Sequence, residues 1–157
     1  MPKIKIVNLI IAILVCQAAG LVGSLFTAPA IPNWYAGLNK PSLRPPNWLF
    51  APIWTTLYAL MGVSLFLVWQ KKKGKEAKQA LTFFFIQLVL NSLWSIIFFG
   101  LRSPQWALIE IVVLWLFILL TMIKFYRLSK PAGWLFLPYL LWVTFAVILN
   151  FNIVRLN

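Results

Sequence analysis

The run IVNLIIAILVCQAAGLVGSLF, residues 6–26, contains no charged side chain and sets the fold class of the whole chain. A helix needs about 20 predominantly apolar residues to cross the roughly 30 Å hydrocarbon core of a bilayer, where no water pairs with backbone groups. The run is also longer than the roughly 7 to 15 apolar residues of a secretory signal peptide. We therefore predict that this segment remains in the protein as its first transmembrane helix.

Further apolar stretches of similar length follow along the chain. Of the 157 residues, 62% are hydrophobic and 10% are charged, whereas a soluble domain is about 45 to 50% apolar and about 25% charged. The stretches are residues 52–69, 80–100, 105–125 and 134–154. They predict an all-α integral membrane protein, a five-transmembrane-helix bundle formed as a single domain by residues 1–157. Residues 27–51 are left as the one long loop.

The long loop leads into the stretch NWYAGLNKPSLRPPNWLFAPIW, residues 33–54, which holds three of the nine tryptophans. Proline fixes φ near −65° and restricts the residue before it, so a loop with Pro41, Pro45 and Pro46 loses less entropy when it becomes ordered. We expect an ordered lid over the mouth of a cavity. A plain aromatic belt at the membrane surface is the alternative. Pro52 is expected in the first turn of the second helix, where its missing N–H costs little.

The basic residues are distributed unevenly among the loops. Ten of the 14 Lys and Arg residues lie at the N-terminus, in the run KKKGKEAK (residues 71–78) and after the fourth helix. The remaining four are Lys40, Arg44, Arg102 and Arg155. The positive-inside rule then places the N-terminus inside, and the first loop and the C-terminus outside. Because the basic residues lie in short loops rather than on a folded surface, we expect no nucleic-acid partner despite the net charge of +12.

Acidic and metal-ligating residues are scarce. The chain has no histidine, no aspartate, two glutamates and the single cysteine Cys16. This composition excludes paired-carboxylate chemistry, a Ser-His-Asp triad and the ordinary metal sites. Glu110 lies in the fourth apolar stretch, and an acid at membrane depth is a functional candidate. The alternative is an interfacial residue that reaches water or Arg102.

Three of the predicted helices carry stripes of aromatic and amide side chains at helical spacing. The stripes are Trp54 and Tyr58 in the second helix, Gln87, Asn91 and Trp94 in the third, and Trp142, Ala146 and Asn150 in the fifth. An amide exposed to lipid costs several kcal/mol, so Gln87 and Asn91 are expected to face the bundle interior. Two interpretations remain open: hydrogen bonds between helices, or a ligand cavity with aromatic walls and a few polar groups.

Three segments of the chain resemble one known family. They are WYAGLNKPSLRPPNWLFAPIWTTLYALMG (residues 34–62), LNSLWSIIFFGLRSPQWAL (residues 90–108) and PYLLWVTFAVILN (residues 138–150). In this order they resemble the TspO/translocator protein family, also called the peripheral-type benzodiazepine receptor family. The resemblance implies a bacterial-type plasma-membrane protein with a five-helix bundle, often dimeric, whose first loop lids a cavity open toward that side. It implies porphyrins and benzodiazepine-type or isoquinoline-type drugs as ligands.

The resemblance also implies which residues contact the ligand. Carried over position by position, they are Gly20, Ser24, Tyr35, Trp54, Tyr58, Asn91, Trp94, Trp142, Ala146 and Asn150. Lys40 or Arg44 would pair with the propionates of a porphyrin. Members proposed to bind sterols carry a tyrosine near the end of the fifth helix, where this chain has Phe151 before Arg155. A sterol is therefore only weakly implied as a partner.

The resemblance leaves three functions open. The first is a receptor or sensor that binds porphyrins without any cofactor. The second is an enzyme that degrades porphyrin with light and oxygen, in which Trp54 and Trp142 serve as electron donors or oxidation targets and the pigment itself supplies the reactivity. The third is a porphyrin or sterol transporter, which the residues favour least because the five stretches show no inverted repeat.

Overall fold

A computed structural model describes residues 3–71 and 74–157 of the chain, and the described residues form helices without strands. The helices are α1 (Lys3–Ala30), α2 (Asn47–Gln70), α3 (Gly74–Ser95), α4 (Pro104–Leu128), α5 (Lys130–Leu135) and α6 (Leu137–Leu156). A π-helical turn, Ile96–Gly100, continues α3, and α5 and α6 together make the fifth span. Within the described residues, five spans are long and apolar enough to cross a membrane, so the predicted five-helix bundle is confirmed.

The first loop is shorter than predicted because both flanking helices are longer. Helix α1 continues through Pro29 to Ala30. Helix α2 begins directly after Pro46, the last residue whose backbone is still extended, with φ −58° and ψ 147°. The prediction that Pro52 lies in the first turn of this helix is therefore wrong, since Pro52 lies well inside it. The Thr56 hydroxyl donates to the carbonyl of Pro52 at 2.8 Å.

The fifth span is broken one turn after its start. The N–H of Phe136 donates to the carbonyl of Gly133 at 3.1 Å, and α6 begins at the next residue with Pro138 in its first turn. Proline has no N–H to continue the ladder of the preceding helix. The chain therefore bends here, and the fifth span starts at Lys130 rather than at residue 134.

Hydrogen bonds at the two ends of the bundle show which helix ends lie together, and this arrangement agrees with the charge pattern. Lys71, at the end of α2, donates to the carbonyl of Leu128 at the end of α4 at 3.4 Å. At the other end of the bundle, Asn39 of the first loop bonds with Asn157 after α6. Lys72 and Lys73 of the basic run lie outside the described residues. The ends group as predicted, and the direction in which the bundle crosses the membrane stays a prediction.

The two ends of the bundle are packed differently. At the end that holds Lys71 and Leu128, the rings of Phe84 and Phe125 stack with centroids 5.6 Å apart, and Phe136 meets Phe125 edge-on at 5.4 Å. All three rings are fully buried. This end is a dense aromatic core, and the cavity lies in the other half of the bundle, toward the first loop.

Candidate functional site

A cavity of about 310 Å³ lies among the helices near the first loop. Residues from α1, the loop, α2, α3, its π turn, α4 and α6 line it. All ten residues named above as ligand contacts are among them: Gly20, Ser24, Tyr35, Trp54, Tyr58, Asn91, Trp94, Trp142, Ala146 and Asn150. The fold thus brings the carried-over positions to one place, while their contact with a ligand stays a prediction.

Aromatic rings form much of the cavity wall. Trp54 stacks on Tyr58 with ring centroids 5.6 Å apart, and Trp94 stacks on Phe98 at 4.9 Å. Trp142 is held by the edge of Phe50 at 5.9 Å. Each indole is thus supported by a neighbouring ring, and a planar aromatic molecule can stack on such walls.

A buried chain of polar groups joins α2, α3 and α6 beside the cavity. The hydroxyl of Tyr58 donates to Oδ1 of Asn91, whose Nδ2 donates to the hydroxyl of Tyr139 at 2.8 Å. That hydroxyl donates in turn to Oε1 of Gln87 at 2.7 Å. Gln87 and Asn91 are buried, which confirms that they face the interior. The interpretation as hydrogen bonds between helices is confirmed for Asn91. Asn91 also lines the cavity, and that the cavity holds a ligand stays a prediction.

Sequence reasoning missed Tyr139. It lies in the segment PYLLW, three residues before Trp142 and therefore on the same face of α6. Its side chain is fully buried, and a buried phenol needs a hydrogen-bond partner. Tyr139 could have been found from this requirement, because the amides of α3 were predicted to face the interior and could serve as its partners.

A second set of hydrogen bonds fixes the cavity near the π turn. The indole N–H of Trp94 donates to Oδ1 of Asn150 at 3.0 Å. Nδ2 of Asn150 donates to the carbonyl of Pro104 at 3.0 Å. These bonds connect α3, α6 and the start of α4. By contrast, the indole N–H groups of Trp54 and Trp142 donate to no group within the described part of the chain, so both remain available to a ligand.

The first loop places Tyr35 against the cavity. Tyr35 begins a single 3-10 turn, Tyr35–Gly37, and its ring packs on Phe99 with centroids 5.6 Å apart. Lys40 holds this turn: its ammonium donates to the carbonyl of Tyr35 at 2.8 Å and to that of Leu38 at 2.9 Å. It also lies 4.8 Å from the centre of the Tyr35 ring. Lys40 is therefore engaged in shaping the loop.

Arg44 differs from Lys40 in its surroundings. Arg44 is exposed, and neither basic residue lines the cavity. Burial, and to a lesser extent the neighbouring charge of Arg44, holds the pKa of Lys40 below its usual value. Burial raises the pKa of Tyr35, and the positive charge of Arg44 partly offsets this rise. Of the two residues predicted to pair with propionates, only Arg44 has a side chain that makes no hydrogen bond or ion pair within the described residues, and the pairing itself stays a prediction.

The loop is also bound to the chain end that follows α6. The backbone N–H of Asn39 donates to Oδ1 of Asn157 at 3.1 Å, and Nδ2 of Asn157 donates to the carbonyl of Asn39 at 2.8 Å. Nδ2 of Asn39 donates to the carbonyl of Leu156 at 3.3 Å. These bonds span well over a hundred residues of sequence, and no local pattern pointed to them.

Glu110 does not belong to the cavity. Its side chain is 8% exposed, it does not line the cavity, and neither carboxyl oxygen has a hydrogen-bond partner within the described residues. The interpretation that it reaches water or Arg102 is therefore wrong. Within the described residues, no three His, Cys, Asp or Glu side chains lie together so that they could hold a metal ion.

Comparisons with known proteins agree with this architecture. The family model described as the TspO/MBR family matches residues 12–156. The chain is 47% identical over 157 residues to the tryptophan-rich protein TspO of Chlorobaculum tepidum, with 98% of each chain covered. It is 42% identical to the tryptophan-rich sensory protein of Cereibacter sphaeroides, over 90% of this chain and 86% of that one. It is 40% identical to the translocator protein of Homo sapiens, over 87% of this chain and 82% of that one.

Proposed function

Since the chain belongs to the TspO/MBR family, we propose that it is a membrane receptor or sensor whose cavity binds porphyrins and flat, drug-like molecules of the benzodiazepine and isoquinoline types. The observation that carries this proposal is the cavity of about 310 Å³ walled by Trp54, Trp94 and Trp142. Small-molecule sites are usually pockets of roughly 300 to 1,000 Å³ with apolar walls and a few polar groups.

The polar groups of the cavity favour one kind of ligand. No lining residue is charged, and an unpaired charge buried in such a site costs far more than a buried neutral group. Within the described residues, the lining groups without a hydrogen bond are the indole N–H donors of Trp54 and Trp142, the hydroxyls of Tyr35 and Ser95, and the amide of Asn47. They suit a neutral ligand that carries hydrogen-bond acceptors and donors. A porphyrin fits if its ring lies between the indoles and its carboxylates extend toward the guanidinium of Arg44 at the loop.

Binding of protoporphyrin IX to the purified protein in lipid nanodiscs tests the proposal. We expect saturable binding, followed through the absorbance of the porphyrin, that is about 2- to 10-fold weaker for Trp142→Phe because part of the stacking surface and one donor are lost. Trp106→Phe is the matched control, since Trp106 is 68% exposed and does not line the cavity. Absence of saturation at micromolar porphyrin, or equal effects of the two substitutions, would contradict the proposal.

The second candidate function is light-dependent degradation of the bound porphyrin. Trp54 and Trp142 both line the cavity with unengaged indoles, which favours it. Dioxygen would serve as the oxidant and the illuminated pigment as the sensitiser. Product formation under light that continues unchanged in the Trp54→Phe, Trp142→Phe double variant would exclude the indoles as reactants. Transport and a homodimer stay predictions that no feature of the described helices favours specifically.

A further inference from the structure

The cavity wall is not uniformly covered. The lining residues from α3, its π turn, α4 and α6 are all buried or half-buried. The exposed lining residues are Ser24 and Ala28 in the last turns of α1, and Asn47 and Ala51 in the first turns of α2. Since these positions belong to two neighbouring helices, the cavity reaches the molecular surface along one line, the seam between α1 and α2.

This seam is tight at one end only. A Cβ atom on Gly62 would lie 2.5 Å from the Cα of Ile13, and one on Gly20 would lie 2.5 Å from the ring of Tyr58. Gln17 lies between Ile13 and Gly20 on α1, and its Nε2 donates to the carbonyl of Thr55, about one turn nearer the loop than Tyr58, at 3.0 Å. The two helices therefore touch closely in the half of the seam away from the first loop.

Toward the loop the seam is loose. Beyond Gly20, no hydrogen bond or ring contact joins α1 to α2 within the described residues. The hydroxyl of Ser24 donates to the carbonyl of Leu21 in its own helix, at 2.8 Å, and not to α2. The exposed side chains that flank this part are Ser24 and Ala28 on α1, and Ala51 and Asn47 on α2. Three of the four are short, and no hydrogen bond or ring contact holds the two helices together here, so a small movement is enough to widen the gap.

The side chains beside the α1 part of the gap are exposed and apolar. At about 1.5 Å per residue, Ser24 lies roughly 9 Å below the end of α1 at Ala30. Its neighbours Leu21 and Leu25 are 67% and 72% exposed, as expected of side chains that contact acyl chains. The loop above is held in place by Lys40 and by the bonds between Asn39 and Asn157.

We propose that ligands reach the cavity laterally, from the bilayer, through the gap between α1 and α2, while the first loop stays bound to the end of the chain. The proposal rests on the proposed function, because it concerns how the same cavity is filled. Flat apolar molecules concentrate in a bilayer, so a lateral opening presents the cavity to the phase that holds most of the ligand. The loop then frames the site and does not need to open.

Binding kinetics in nanodiscs, measured by stopped flow with protoporphyrin IX, test the route. A bulky side chain at the gap, in Ala28→Trp or separately in Ser24→Leu, should slow association and dissociation together, each by at least about fivefold. Leu25→Trp is the matched control on the same helix turn, since Leu25 is exposed and does not line the cavity. Asn157→Ala removes both bonds between the Asn157 amide and the backbone of Asn39 and so loosens the loop. We expect it to leave the association rate unchanged.

The outcomes separate the two proposals. Saturable binding with unchanged rates in both gap variants, or faster association in Asn157→Ala, would show that the ligand passes the loop and would overturn the lateral route alone. Faster dissociation with unchanged association in the gap variants would mean that only contacts were lost, which also overturns it. If the wild-type protein shows no saturable binding, the proposed function fails and the route fails with it.

Discussion

Substitution of Gly20 by alanine probes how the packing of α1 shapes the cavity. The added Cβ would lie 2.5 Å from Cε2 and 2.9 Å from Cδ2 of Tyr58, distances at which the ring must move. Tyr58 cannot move freely, because it stacks on Trp54 and its hydroxyl donates to Asn91. The displaced ring narrows the cavity and breaks this hydrogen bond.

The expected size of the effect follows from these losses. A lost hydrogen bond costs about 0.5 to 1.5 kcal/mol, which corresponds to a roughly 2- to 12-fold weaker porphyrin affinity if the loss is felt fully by the ligand. Overpacking costs a further roughly 1 to 3 kcal/mol of stability. Together these losses amount to roughly 1.5 to 4.5 kcal/mol. At about 2 to 4 °C per kcal/mol for a chain of this size, Tm should fall by roughly 3 to 18 °C.

Two other glycines serve as controls for this experiment. In Gly62→Ala the added atom meets the backbone of Ile13 at 2.5 Å, outside the cavity, so Tm should fall while porphyrin affinity stays within about twofold. In Gly37→Ala nothing lies within 4 Å of the added atom, and neither quantity should change. The reasoning is refuted if Gly20→Ala binds porphyrin like the wild type, or if Gly62→Ala weakens binding as much as Gly20→Ala does.

Further substitutions test the buried polar groups and the loop. Tyr139→Phe leaves two buried amide groups without their partner and should lower the free energy of unfolding by about 1 to 3 kcal/mol, measured by thermal denaturation; an unchanged Tm would contradict this. Glu110→Gln removes an acid whose carboxyl has no hydrogen-bond partner among the described residues, so neither Tm nor porphyrin affinity should fall; a clear loss of either would reveal a role for the carboxyl. Replacing Pro45 and Pro46 by glycine should weaken porphyrin binding by raising the entropy cost of ordering the loop, with helix content by circular dichroism unchanged; equal affinity would show that the loop is merely a connector.

The spans were predictable because the bilayer imposes one strong rule, that about 20 apolar residues form a helix. The residues at which the helices begin and end could not be predicted from this rule. Helix α2 begins five residues before Pro52, and Thr55 and Thr56 donate to the carbonyls of Ala51 and Pro52 within it. A count of apolar residues finds the apolar part of a helix and misses polar residues such as Asn47, with which α2 begins.

The candidate site was predictable to the extent that it lies on helix faces. Asn91, Trp94 and Asn150 follow helical spacing, so their convergence on one cavity could be inferred from the family resemblance and the stripes together. Lys40 was read as a ligand partner, yet its ammonium is used by the carbonyls of its own turn. A loop has no repeating geometry from which such a contact could be derived, and the same holds for the bonds between Asn39 and Asn157.

Under the proposed function, the hydrogen bonds of the cavity would explain how one site accepts different flat molecules and still selects among them. The amides of Asn91 and Asn150 bond to other helices, so they hold the walls at fixed positions. What would remain for a ligand is mostly ring surface, which tolerates many planar shapes. The indole donors of Trp54 and Trp142, with the hydroxyls of Tyr35 and Ser95, would then favour molecules that carry matching polar groups. Since no lining residue is charged, we expect any ionised group of such a ligand to lie outside the cavity, near Arg44.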